Sequence, residues 1–188
     1  MIKQQTFVRE HTTPIKWIVR KNAIPLELCN LAIDYAIGNE SGFHRVNNRT
    51  PKHWDIRCDT CRVSLTSEVN TELSKVILPI WEQAISFYGM ETTHIEEYEI
   101  KRYNIGDYVT EHVDQFYGTM GNTERKLTML IQLNDGYEGG DLMVAKNSMP
   151  KPAGTVIVIP SFYIHEVLPI TKGERWSLNC WAWGPLWK

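Results

Sequence analysis

Thr155-Val156-Ile157-Val158-Ile159, stopped by Pro160, is an unbroken β-branched run of the kind that suits a strand buried on both faces. It has similar neighbours. From Thr92 onward, short β-rich runs recur between glycine, proline and asparagine breaks, at 93–104, 107–113, 126–134, 141–146, 154–159, 164–170 and 174–183. Many short strands in series predict a sandwich or jelly roll.

The first half reads differently. Pro25 opens a segment reaching Asn39 in which Leu28, Leu31, Ala32, Tyr35 and Ala36 recur at helical spacing. A second helix is predicted from Ser67, a plausible cap, to Tyr88, with Leu73, Val76, Ile77, Ile80, Trp81, Ala84 and Ile85 on its inner face. Pro79 inside it predicts a kink or break. Residues 40–61 are polar and turn-rich and read as a long surface loop, followed by a short strand at about 62–65. The expected fold is mostly β with flanking α: a double-stranded β-helix (jelly-roll) core with N-terminal helices packed on one sheet.

The chain has 188 residues, 43% of them hydrophobic, enough for one domain with a proper core. We read residues 1–188 as that single domain, a helical support region over about 1–91 and a jelly-roll core over about 92–184. Lys plus Arg number 20 against 22 for Asp plus Glu, a balance that gives no footprint for duplex nucleic acid or an anionic membrane. No apolar run reaches signal-peptide or membrane-spanning length, so the sequence reads as soluble and cytoplasmic. Cys29, Cys58, Cys61 and Cys180 are too few and scattered for a disulfide scaffold. A lone CxxC at Cys58 and Cys61 lacks the further ligands of a structural zinc site, so all four read as free thiols.

On the predicted strand at 107–113 and just beyond it stand His112-Val113-Asp114; His165 and Arg175 follow downstream. His112 and Asp114 are two apart and face the same side of a strand, as a common metal requires. Two imidazoles and a carboxylate are the ligand set that holds Fe(II) on one face and leaves the opposite positions open. A His-x-Asp pair alone is weak evidence; the arginine strengthens it. A dicarboxylate sunk in an apolar barrel needs a buried cation, and arginine stays charged and grips carboxylate with two parallel hydrogen bonds.

The stretches Tyr137–Leu142 (YEGGDL), Lys151–Pro160 (KPAGTVIVIP) and His165–Arg175 (HEVLPITKGER), joined to Tyr103 and the His-x-Asp pair, resemble the catalytic core of the Fe(II)/2-oxoglutarate-dependent dioxygenases. The resemblance covers about residues 98–183 and is nearest to the prolyl 4-hydroxylase-like, PKHD-type branch. It implies that His112, Asp114 and His165 bind iron and form the catalytic centre. It also implies that Arg175 and Tyr103 hold 2-oxoglutarate, with Thr128 supplying a small hydroxyl near that ligand. Gln132 stands where some relatives have a tyrosine that binds the co-substrate, which leaves that contact open. The implied cofactors are Fe(II), 2-oxoglutarate and O2, with ascorbate as an accessory reductant. The implied reaction hydroxylates an unactivated C–H bond and releases succinate and CO2. Its substrate is a peptide or protein side chain, prolyl first, with a small molecule as alternative. Competing readings are a non-catalytic metal-binding jelly-roll sensor and an oxygenase of nucleobases, the latter disfavoured by the charge balance.

Other residues attract plainer readings. Trp181, Trp183 and Trp187 read as packing, and Gly139 and Gly140 as a turn or bulge needing open backbone angles. His11, His44, His53 and His94 read as surface residues. Loop 115–125 is a candidate lid, and Trp54, Asp55 and Arg57 are weaker candidates for substrate contact.

Overall fold

The computed structural model describes residues 17–39, 42–48, 55–117 and 121–187. His11, His53 and Trp54, named above, lie outside them. Two helices, α1 (Leu26–Gly38) and α2 (Glu68–Tyr88), precede most of the strands. The Ser67 hydroxyl accepts from the Asn70 amide at 3.1 Å and so caps α2, and Gly89 ends it in the left-handed region at φ 60°. The helix runs through Pro79 without the predicted break. Pro79 is exposed, so solvent can satisfy the carbonyl it leaves unpaired.

The strands are β1 (Ile18–Arg20), β2 (His44–Asn48), β3 (Ile56–Arg62), β4 (His94–Ile95), β5 (Glu99–Tyr103), β6 (Tyr108–His112), β7 (Thr123–Gln132), β8 (Glu138–Gly139), β9 (Leu142–Val144), β10 (Asn147–Ser148), β11 (Val156–Pro160), β12 (His165–Val167), β13 (Ile170–Lys172) and β14 (Arg175–Pro185). One antiparallel half runs β1-β11-β7-β14-β5, the other β6-β12-β9-β10. β3 joins them, pairing β5 through residues 59–62 and β6 through residues 56 and 57. The sheet thereby curls on itself, the expected jelly-roll architecture.

Alternation along the strands divides the core in two. Val156 and Val158 of β11, Leu127, Met129 and Ile131 of β7, and Leu178 and Cys180 of β14 pack toward α1 and α2 with Leu73, Ile77 and Trp81. Ile157, Ile159 and Leu130 point the other way, into a second cluster with Tyr103, Val109, Leu142 and Val167. This two-sided burial explains why the β11 sequence shows no polar alternation. The inner face is where the barrel opens, and it also carries polar side chains: Glu99, Lys101, Gln132, Arg175, Ser177 and Asn179.

One expectation fails. Among the described residues, 44–48 and 56–62 are strands and not loop, and no separate strand follows at 62–65; β2 and β3 pair antiparallel with His44 opposite Thr60 and Asn48 opposite Ile56. Their polar residues hid them, because they pair with one another. Asp59 takes Arg45 at 3.1 Å and Arg102 at 2.9 Å, while Ile56, Cys58 and Cys61 are buried. All four cysteines are free, as expected, and all four are buried. Among the described residues, no helix is long and apolar enough to cross a membrane.

Candidate active site

β6 ends at His112, and the chain continues to Asp114, whose amide is fixed by the Ser161 carbonyl at 2.8 Å. β12 begins at His165, directly opposite His112 in the ladder. The three predicted ligands therefore meet: His112, Asp114 and His165 place one donor atom each within 4.8 Å of one another. His112 Nε2 lies 3.5 Å from Asp114 Oδ1, and His165 Nε2 lies 3.4 Å from Asp114 Oδ2.

Each imidazole turns its other nitrogen to a backbone carbonyl. His112 Nδ1 meets Thr110 O at 2.8 Å and His165 Nδ1 meets Tyr163 O at 3.0 Å. A carbonyl accepts only, so both Nδ1 atoms carry protons and both Nε2 atoms face the common centre. That is the tautomer and orientation of a metal-ligating histidine. Burial opposes the Asp114 charge, but His165 and His112 outweigh it and hold the carboxyl well below its ordinary range. Asp114 is thus ionised and ready to coordinate.

Asp114 is held from behind. Trp181 Nε1 donates to its Oδ2 at 2.9 Å, and the Thr128 hydroxyl donates to the same oxygen at 3.1 Å while bonding Ser161 Oγ at 3.0 Å. Thr128, expected beside the co-substrate, lies behind the carboxylate instead, because β7 brings it opposite Trp181 in the ladder. Trp181 was read as packing, and its hydrogen bond to a predicted ligand went unrecognised. The available signal was parity: Trp181 is an even number of residues from Arg175, on the same face of β14.

A cavity of about 360 Å³ opens from this cluster. Arg175 lines it, 1% exposed, paired across the ladder with Tyr103. The guanidinium sits 5.0 Å from the Tyr103 ring and donates through Nη2 to Gln132 Oε1 at 3.0 Å. Its Nε and Nη1 are buried with no hydrogen-bond partner among the described residues. A buried guanidinium with two idle donors is costly unless an anion arrives. Burial pushes the Tyr103 phenol up to about 12, so it remains a donor. Val109, Leu130, Leu142 and Val167 supply apolar wall. Three side chains able to hold a metal at one place and an unsatisfied cation at another, in one cavity, fit a chelating keto-acid with a second carboxylate. His44 and His94 are exposed, as expected. Of the weaker candidates, neither Asp55 nor Arg57 lines the cavity.

The sequence profile of the 2OG-Fe(II) oxygenase superfamily matches residues 98–183. A PKHD-type hydroxylase of Methylobacterium nodulans is 33% identical over 91 residues, which cover 43% of this chain and 40% of that protein. The chain thus aligns with less than half of this relative's length. Among solved structures, a viral collagen prolyl hydroxylase from Paramecium Bursaria Chlorella virus-1, in complex with 2OG, superimposes with a TM-score of 0.71 at 18% identity, covering 89% of this chain and 96% of that one. A prolyl hydroxylase from Trichoplax adhaerens, in complex with a hypoxia-inducible-factor oxygen degradation domain peptide, gives 0.70 at 14% identity, covering 88% and 82%. At such identities these likenesses establish the fold.

Proposed function

We propose, because the profile of the 2OG-Fe(II) oxygenase superfamily matches residues 98–183, that the cavity is the active site of a 2-oxoglutarate-dependent hydroxylase. His112, Asp114 and His165 hold the ferrous ion; Arg175 and Tyr103 hold the far carboxylate of 2-oxoglutarate. The substrate is a peptide or protein side chain, prolyl first, hydroxylated at an unactivated C–H bond with release of succinate and CO2. The prolyl hydroxylase folds, one of them bound to a peptide, support this substrate class. The helices and the barrel act in this reading as one domain.

The observation that carries the proposal is Arg175, a buried cation with two free donors in the cavity that the three metal-ready side chains line. Iron, when bound with the keto acid, supplies the oxygen activation. The chain's own residues orient and shield. The Nδ1 carbonyl contacts fix both imidazoles, Trp181 and Thr128 fix Asp114, and the apolar wall keeps water from the reacting centre.

The test follows succinate formation by purified protein with Fe(II), O2, ascorbate and 2-oxoglutarate, with and without proline-containing peptides. The parent is expected to form succinate, faster with a suitable peptide, and His112→Ala to form almost none. Equal turnover by His112→Ala would overturn the assignment.

A further inference from the structure

Along β5, Glu99, Lys101 and Tyr103 share the inner face, and their partners on β14 are Asn179, Ser177 and Arg175. Lys101 therefore stands one inward step from the Tyr103–Arg175 pair. Two residues along a strand advance about 6.6 Å, close to the span of a five-carbon diacid. On its other side the Lys101 ammonium lies 5.8 Å from the ring of Trp181, the residue whose indole holds Asp114. Lys101 thus occupies the wall between the Arg175 end of the cavity and the metal cluster.

This lysine is not an ordinary solvated one. Its side chain is 12% exposed, lines the cavity, and has one ion-pair partner among the described residues, Glu99 at 3.1 Å. Burial works against its charge, but Glu99, the largest opposing cause, keeps it protonated well above the ordinary value. An ammonium has three donors, and the pair with Glu99 occupies one. A buried Lys–Glu pair is also a poor way to gain stability, since apolar residues of similar size avoid the desolvation. Its place is explained if something anionic comes to it.

We propose that Lys101 is a second positioning residue for the co-substrate, its ammonium taking the metal-side carboxylate while Arg175 takes the far one. The inference rests on the 2-oxoglutarate reading above. It adds that the keto acid is held at both ends by cations of the chain, not by the metal alone.

The test uses calorimetric binding to metal-free and Mn(II)-loaded protein, where no turnover occurs. The probes are 2-oxoglutarate and two analogues that each carry a methyl in place of one carboxylate. 2-Oxovalerate keeps the metal-side carboxylate, and 4-oxopentanoate keeps the far one. Lys101→Met is expected to weaken 2-oxoglutarate and 2-oxovalerate by about tenfold or more, the loss of one charge-assisted hydrogen bond, and to leave 4-oxopentanoate unchanged. Arg175→Met should show the converse pattern, and Lys101→Arg should recover part of the lost affinity. If Lys101→Met binds all three like the parent, or weakens all three alike, the positioning role is wrong while the function proposal stands. A parent that binds no 2-oxoglutarate would sink both. Should Lys101→Met not fold, Glu99→Gln carries the test: freeing the ammonium must tighten 2-oxoglutarate and 2-oxovalerate but not 4-oxopentanoate, and no change in any of them counts against the inference.

Discussion

Arg175 Nη2 donates to Gln132 Oε1 at 3.0 Å, so this buried cation is steered by a neutral amide and not neutralised by a carboxylate. Gln132 is itself anchored, its Nε2 donating to Pro150 O at 3.3 Å. The amide thus fixes the plane of the guanidinium while leaving its charge available. Arg175→Met should weaken 2-oxoglutarate by roughly 2–5 kcal/mol, the cost of removing one partner of a buried charged pair. Gln132→Leu, which keeps the charge but frees the fork, should cost about 1.5–3 kcal/mol. Calorimetric titration separates the two. Equal affinity in Gln132→Leu and parent would show that the amide does not orient the arginine.

Trp181 and Thr128 both donate to Asp114 Oδ2, leaving Oδ1 and the two Nε2 atoms for a metal. Removing a partner that orients a ligand typically costs 10–100-fold in metal affinity. Trp181→Phe keeps the ring and loses the N–H, and Thr128→Val keeps the shape and loses the hydroxyl. Each is expected to weaken Mn(II) binding by about tenfold or more, measured by electron paramagnetic resonance of free Mn(II). Unchanged affinity in both would mean that Asp114 is held by its backbone alone.

These contacts mark the boundary of what the sequence disclosed. The apolar run at 155–159 and the helical spacing of Leu73, Ile77 and Trp81 were legible because burial on one or two faces leaves a periodic trace. His112, Asp114, His165 and Arg175 were legible because few side chains suit their chemistry. The β2–β3 pair was not, because Asp59, Arg45 and Arg102 satisfy their charges across strands, and a sequence read residue by residue shows only polarity. Thr128 and Lys101 were obscure for a related reason. Their roles depend on which residues face them across β14, and register is not written in one strand alone.

Gly140 lies at φ +61°, and a Cβ there would fall 2.2 Å from Ile170 Cδ1 and 3.3 Å from Arg175 Cδ. Gly136, at φ +81°, has open space where its Cβ would be. Alanine at either site strains the backbone by about 1–3 kcal/mol, but only at 140 does it also press on the arginine. Gly140→Ala should therefore melt lower than Gly136→Ala and bind 2-oxoglutarate more weakly, while Gly136→Ala keeps parental affinity. Matching affinities in the two variants would rule out the proposed crowding of Arg175.

Asp59 is the hub that ties the β2–β3 pair to β5, accepting from Arg102 Nε at 3.0 Å, Arg102 Nη2 at 2.9 Å and Asn104 Nδ2 at 3.2 Å, besides Arg45. Burial alone would raise its pKa, but Arg102 and Arg45 overcome that and lower it below the ordinary 3.8. A carboxyl with a depressed folded-state pKa contributes stability that is full above the unfolded-state value and is lost as pH falls through the folded-state one. The hub should therefore hold at neutral pH and weaken only below about pH 3.8. Asp59→Asn is expected to cost about 1–3 kcal/mol at pH 7, and the gap to the parent should close progressively as both are titrated below that point. Urea unfolding at a series of pH values reads this directly. The β2–β3 pair carries Val46, Ile56 and Thr60 of the cavity wall, so the same variant should also bind 2-oxoglutarate less tightly. A gap that stays constant from neutral to acid pH would place the stabilising charge elsewhere in the network.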